Sequence, residues 1–288
     1  MTTSPSSQPP PGSLLLRCAG RPVARYVIRP DLDRAMAPRP YLHPVTTLAG
    51  TPVTGLAPDD HPHHLGAGVA VPDVAGHNFW GGRTFVRGQG PTELDNHGVQ
   101  HHRGFKLRDP DGFVEDIDWT AGGEVLLRER RTVAAVELAA AAWALDFTFA
   151  LTNATGGELS LGSPATNGRP GAAYGGFFWR APRADGPPRV FTPQAEGEES
   201  AHAARADWLA LTGDGWTLVF AGATARTRRD PWFVRAAEYP GVGSSLAVQD
   251  RLPISPSDTL VRRVVTVVAD GTLNRDEAAA LVRKAVTA

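Results

Sequence analysis

Apolar and polar residues alternate most strictly over residues 143–152. Trp143, Leu145, Phe147, Phe149 and Leu151 fall on one side, and Asp146, Thr148 and Thr152 on the other. A period of two marks a β-strand with one buried face. Thr155, Gly156 and Gly157 then supply a turn, which predicts that residues 158–161 return as the second arm of a hairpin. Residues 24–29, 124–138, 208–212, 217–221, 245–250 and 260–268 read as further strands. Thr212-Gly213-Asp214-Gly215 joins two of them as a tight turn. One helix is predicted, and it closes the chain. Asn274 is its N-cap, Glu277 completes a capping box, and residues 278–286 are helix formers. Many strands without alternating helices argue against a parallel α/β sheet. The predicted fold class is therefore all-β, an antiparallel β-sandwich with a short C-terminal helix. Residues 13–288 are read as one domain, behind a Ser/Thr/Pro-rich tail, residues 1–12, expected to be disordered.

Composition narrows the function classes. The 31 Gly and 25 Pro are scattered between apolar runs, as short strands joined by turns require. The formal net charge of −1 gives no global field to attract nucleic acid or an anionic membrane. The single cysteine, Cys18, rules out an intramolecular disulfide. No apolar run reaches the roughly 18–20 residues that span a bilayer. No basic region precedes an apolar stretch at the N-terminus, so a cytoplasmic location is expected.

Candidate chemistry concentrates between residues 58 and 105, a stretch poor in strand pattern and rich in Gly, His, Asp and Asn. Eight of the nine histidines lie between His43 and His102. Asp59-Asp60-His61-Pro62-His63-His64 is one group; Glu93 to His102, with His97, His101 and His102, is the second. Imidazole titrates near neutrality and can move a proton or ligate a metal. A facial set of ligands can be drawn from His61, His63 and Glu93 or Asp95. No HExxH motif, cysteine knuckle or EF-hand loop demands a metal, and no cofactor is indicated. Phe79-Trp80-Gly81-Gly82 and Tyr174-Gly175-Gly176-Phe177-Phe178-Trp179-Arg180 offer aromatic faces beside mobile backbone. Trp80 and Trp179 are expected to stack on a ring and Arg180 to orient it. Glu129 sits among alternating charges that read as a solvated strand face. Glu238 follows an apolar stretch, and aromatic neighbours would raise a carboxylate there toward the general acid/base range.

Five segments occur together in order: Arg39-Pro40-Tyr41-Leu42-His43-Pro44-Val45, Asp60-His61-Pro62-His63-His64-Leu65-Gly66, Asn78-Phe79-Trp80-Gly81-Gly82, Gly175-Gly176-Phe177-Phe178-Trp179-Arg180 and Asp230-Pro231-Trp232-Phe233-Val234-Arg235. In this the chain resembles a bacterial family of largely uncharacterised proteins that goes by the name "methane oxygenase PmoA". The resemblance runs over nearly the whole chain. It departs at Leu65, where that pattern more often has Arg. A membrane-bound oxygenase does not fit a chain without a membrane span. The resemblance instead implies a supersandwich similar to galactose mutarotase. It also implies a sugar flanked by a histidine acid, His63 or His102, and a glutamate base, Glu238. The expectation is an enzyme acting on a sugar or oxidised sugar derivative by epimerase, lyase or hydrolase chemistry. His61, His64, His97, Trp80, Trp179 and Arg180 would contact that small-molecule carbohydrate. The competing expectations are a metal-dependent enzyme using the same histidines and a non-catalytic sugar-binding module.

Overall fold

A computed structural model describes residues 12–288. The expectation for residues 1–12 falls, apart from Gly12, outside them. Two antiparallel sheets dominate. One has eight strands, in the order Arg189–Phe191, Trp208–Gly213, Trp216–Gly222, Thr259–Asp270, Ala142–Asn153, Glu124–Ala139, Gly112–Ala121 and Val99–Asp109. The other has seven: Ser13–Cys18, Arg21–Val27, Tyr41–Val45, Ala67–Ala70, Gly176–Arg180, Gly241–Ser244 and Trp232–Arg235.

The strand with the clearest alternation lies inside the larger sheet, paired on both sides along its length. Trp143, Leu145, Phe147, Phe149 and Leu151 are each 0 % exposed. Their face meets the other sheet, as Phe147 against Phe177 at 5.4 Å and Phe220 against Trp179 at 5.7 Å show. The architecture is an all-β sandwich of two packed layers. Its main core draws side chains from Leu14 to Val268.

The C-terminal helix, Arg275–Thr287, begins as predicted. The Asn274 side chain accepts from the Asp276 and Glu277 amides, and Glu277 reaches back to the Asn274 N–H at 2.8 Å. Ala278, Val282 and Ala285 pack on the outer face of the larger sheet, against Ala142, Ala144, Val265 and Val267. Residues 213–216 turn as expected, with Gly213 opposite Trp216.

Two local expectations are corrected. The strand after Gly156 and Gly157, Leu159–Gly162, does not pair back on Ala142–Asn153. It pairs with Leu252–Ile254 and Asp73–Val74 in a small three-stranded sheet. A turn signal says that a chain reverses, not which neighbour it meets. Residues 245–250 are not a strand; pairing ends at Ser244, apart from a single bridge from Ser245 to Gly175. Conversely, Ala67–Ala70 is a strand with all four residues buried. Burial on both faces leaves no alternation to read.

Candidate functional site

Parity decides which side chains of the seven-stranded sheet reach the site. On Gly176–Arg180, Phe177 and Trp179 point into the core, so Phe178 and Arg180 point the other way. On Trp232–Arg235, Trp232 and Val234 point inward, and Phe233 and Arg235 line a pocket on the outer side. The loop carrying His61, His63 and His64 folds over this outer face. It is closed by hydrogen bonds from the His61 amide to the Pro58 carbonyl and from the His64 amide to the His61 carbonyl.

Arg39 anchors the loop. Its guanidinium is buried and donates to the carbonyls of Ala37 and Trp80 at 3.0 Å and of His63 at 2.7 Å. Burial lowers its pKa to about 9, which still leaves it charged at neutral pH. Asn78 shapes the adjoining turn: its Oδ1 accepts from the Trp80 and Gly81 amides. Gly82 then lies against the His63 ring, with φ of +67° and space for a Cβ only 2.9 Å from the imidazole. Gly82→Ala is therefore expected to lower stability by about 1 kcal/mol or more and to displace the His63 ring. Urea titration measures the first and the His63 imidazole proton shift the second. Unchanged values for both would remove this account of the turn.

The resulting pocket holds about 250 Å³ and is lined by Asp60, the three imidazoles, Trp80, Tyr174 and Tyr239 among others, with Arg83, Arg169, Arg235 and Glu238 at its edges. The His61 ring stacks on His64 at 4.6 Å and lies 4.7 Å from Tyr239; His63 meets His64 edge-on at 4.8 Å. Asp60 Oδ2 stands 3.3 Å from His61 Nδ1 and 2.7 Å from Arg183 Nη2. Burial, then the charges of Arg39, His61 and His97, pushes the His63 imidazole down to about 3. Burial likewise drives His64 well below the usual imidazole range, with His63, His61, Arg180 and Arg39 adding to it. Both rings are thus neutral at pH 7. Burial raises the Tyr239 and Tyr174 phenols, so both keep their protons and can donate.

The expected site residues divide. His61, His63, His64 and Trp80 come together, with Arg180 behind them and Glu238 at the rim. Trp80 is 4 % exposed and packed by Tyr174 and Phe178 at 4.6 and 4.8 Å, so it is a wall and not an open stacking platform. Trp179 cannot stack on a ligand: it is 0 % exposed in the core and donates to the Val53 carbonyl. Glu238 is exposed, not held among aromatics. His97 supports the wall from behind, its Nε2 2.7 Å from the Gly82 carbonyl, and does not line the pocket.

His102 belongs elsewhere. Its Nδ1 lies 2.5 Å from Glu115 Oε1 on the larger sheet. Glu115 also accepts from the Tyr26 hydroxyl. Arg131 joins Tyr26, Gln100 and Glu129 in the same buried network. Glu129, expected on a solvated face, is 2 % exposed within it. The alternation of Phe113, Glu115, Ile117 and Trp119 was the signal for this network, because it places Glu115 on the apolar face. Arg39 and Tyr239 carried no such signal.

Among the described residues, no three His, Cys, Asp or Glu side chains are grouped as metal ligands, and the His61, His63 and Glu93 or Asp95 set is not assembled. No helix among the described residues is long and apolar enough to cross a membrane. A larger hollow of about 720 Å³ on the outer face of the eight-stranded sheet carries Arg103, Lys106, Asp116, Asp118 and Arg130. Those charges pair with one another at 3.0–3.4 Å, and Arg128 also lines the hollow.

Residues 13–283 match a family of unknown function, DUF6807. No curated protein matches the chain.

Proposed function

We propose that this chain, which belongs to DUF6807, is a carbohydrate-active enzyme working by general acid/base chemistry in the histidine pocket. One observation carries the reading: three imidazoles, two of them held neutral by burial, meet two protonated phenols around a single polar cavity. Small-ligand pockets run about 300–1,000 Å³. A cavity of about 250 Å³ lies just under that range and suits one monosaccharide unit. Its lining alternates donors and acceptors, which hydroxyl groups need, with the ring faces that sugar C–H edges need.

The roles follow from geometry. Asp60 Oδ2 stands at ion-pair distance, 3.3 Å, from His61 Nδ1, and the other ring nitrogen is left to take a proton from the substrate. Tyr239, 4.7 Å from His61, donates to the oxygen on which charge develops. His61, once protonated, is the group that returns the proton, to carbon or to a leaving oxygen, which suits epimerisation or elimination. His63 and Glu238 line the same pocket as hydrogen-bond partners for the substrate. Tyr174, the less enclosed aromatic ring, faces the sugar.

A screen that presupposes no particular substrate tests this. Aldoses, ketoses and their oxidised forms are incubated with the protein in D2O, and ring C–H protons are followed by NMR. Exchange or product formation is expected with at least one class, and His61→Gln is expected to slow it about 100-fold or more. Turnover unchanged in His61→Gln would refute the site, and no turnover or binding across the set would refute the function.

A further inference from the structure

We propose that the ligand of this pocket carries a single negative charge, a carboxylate, which is recognised chiefly by Arg180. The inference rests on the carbohydrate reading above and narrows it to sugar acids.

Arg180 carries the argument. It is 1 % exposed, and neither terminal guanidinium nitrogen has a hydrogen-bond partner. A buried guanidinium without an acceptor is among the costliest features a fold can keep, and native proteins keep it chiefly where function needs it. The carboxylate whose field reaches it is Asp60, and that group is already held by Arg183 at 2.7 Å. Arg180 does not itself line the cavity: its guanidinium carbon stands 4.8 Å over the ring of Tyr239, which lines the pocket beside His61 and His64. A ligand carboxylate therefore meets the guanidinium where the Tyr239 ring gives way. His61 Nδ1 and His64 Nδ1 are further buried polar atoms there without a hydrogen-bond partner.

The rim is close to balanced: Arg83, Arg169 and Arg235 line the pocket with Asp60 and Glu238, but Arg83 stands 3.7 Å from Glu93 and Arg235 3.9 Å from Glu198. His63 and His64 add no positive charge at neutral pH, so the recognition falls chiefly to Arg180. A planar fork with two free nitrogens matches a carboxylate. One buried cation balances a monoanion and leaves a phosphate dianion half compensated.

Calorimetric titration at pH 7 tests this with glucuronate, galacturonate and gluconate against glucose and galactose, and with glucose 6-phosphate. At least one sugar acid is expected to bind about tenfold or more tighter than its neutral parent, the size of one charge-assisted contact. Because the charge pair is buried, most of that preference is expected to survive about 500 mM salt. Arg180→Met, an apolar replacement of similar length, should fold and lose the preference. Should it fail to fold, Arg169→Gln is expected to reduce the preference roughly two- to fivefold. Equal binding of acids and neutral parents overturns the carboxylate proposal and leaves the carbohydrate reading intact. Tighter binding of the phosphate also overturns it. Failure of every sugar to bind overturns both.

Discussion

Replacing Arg131 with Ala is expected to cost about 3–5 kcal/mol of folding free energy at pH 7, at the upper end of what one substitution removes. Arg131 is fully buried. Its Nε and Nη2 donate to the two oxygens of Glu129 at 2.7 and 3.0 Å. Nη1 donates to the Tyr26 hydroxyl at 3.0 Å and the Pro40 carbonyl at 3.1 Å. The cation also lies 5.3 Å from the Phe147 ring centre. Without it, two buried carboxylates, Glu129 and Glu115, face each other's field with no compensating charge. Burial already raises the Glu115 carboxyl pKa, and the Arg131 charge is the leading influence that opposes this. Removing that charge pushes Glu115 further toward its neutral form. Arg131→Ala should therefore lose more stability as pH rises through the new Glu115 pKa. Glu129→Gln together with Arg131→Met should recover part of the loss, because neither charge then stands alone. Urea titration of the three proteins decides it. A loss under about 1 kcal/mol in Arg131→Ala would mean that water enters the network, contrary to its burial.

This network shows where a period-two reading of the chain succeeds and where it stops. Alternation identifies the inward face of residues 143–151 because every inward residue there is apolar. The same rule applied to Gly112–Ala121 places Glu115 inward, and applied to Glu124–Ala139 places Glu129 and Arg131 inward. Their charge argued for a solvated face, and the bidentate pairing that permits their burial involves residues two apart on one strand with a tyrosine 105 positions away. The histidine cluster was legible for a different reason. His61, His63 and His64 are close in sequence, and one tight turn brings their rings together. His97 and His102 are close to each other in sequence too, but that segment runs into a long strand. His102 follows the strand to Glu115, while His97 stays at the loop and braces Gly82. Trp179 and Arg180 are adjacent, and the strand sends one to the core and the other outward. Which of the two faces the site depends on register, and that is fixed by pairing with Ala67–Ala70 and Gly241–Ser244.

The neutral imidazoles that define the pocket should also make the protein acid-labile well above the range where carboxylates protonate. An unfolded histidine titrates near pH 6.5. In the folded chain burial, reinforced by Arg39, His61 and His97, holds His63 at about 3. His64 is held lower still, with Arg180 among the charges that oppose its protonation. Between pH 6.5 and 3 the unfolded chain therefore binds more protons than the folded one. Stability is complete above pH 6.5 and falls as the pH drops, by about 1.4 kcal/mol per pH unit for each ring. For two rings, the loss from pH 7 to pH 5 is on the order of 4 kcal/mol, an upper figure for a pocket that solvent reaches from one side. His43 and His202 are lowered too, by burial first and a neighbouring arginine second, and act in the same direction. Glu115 and Asp230, with raised carboxyl pKa values, act in the opposite one. Urea titrations at pH 7, 6 and 5 are expected to show the decline, and the double substitution His63→Gln, His64→Gln to flatten it by about half or more. A sugar acid bound at Arg180 would add a negative charge beside these rings and raise their pKa. Saturating ligand should therefore shift the decline to lower pH beyond what added affinity alone provides. Equal stability of the unliganded protein at pH 7 and pH 5 would mean that His63 and His64 take up protons freely in the folded chain, and the neutral acceptor on which the proposed chemistry depends would be absent.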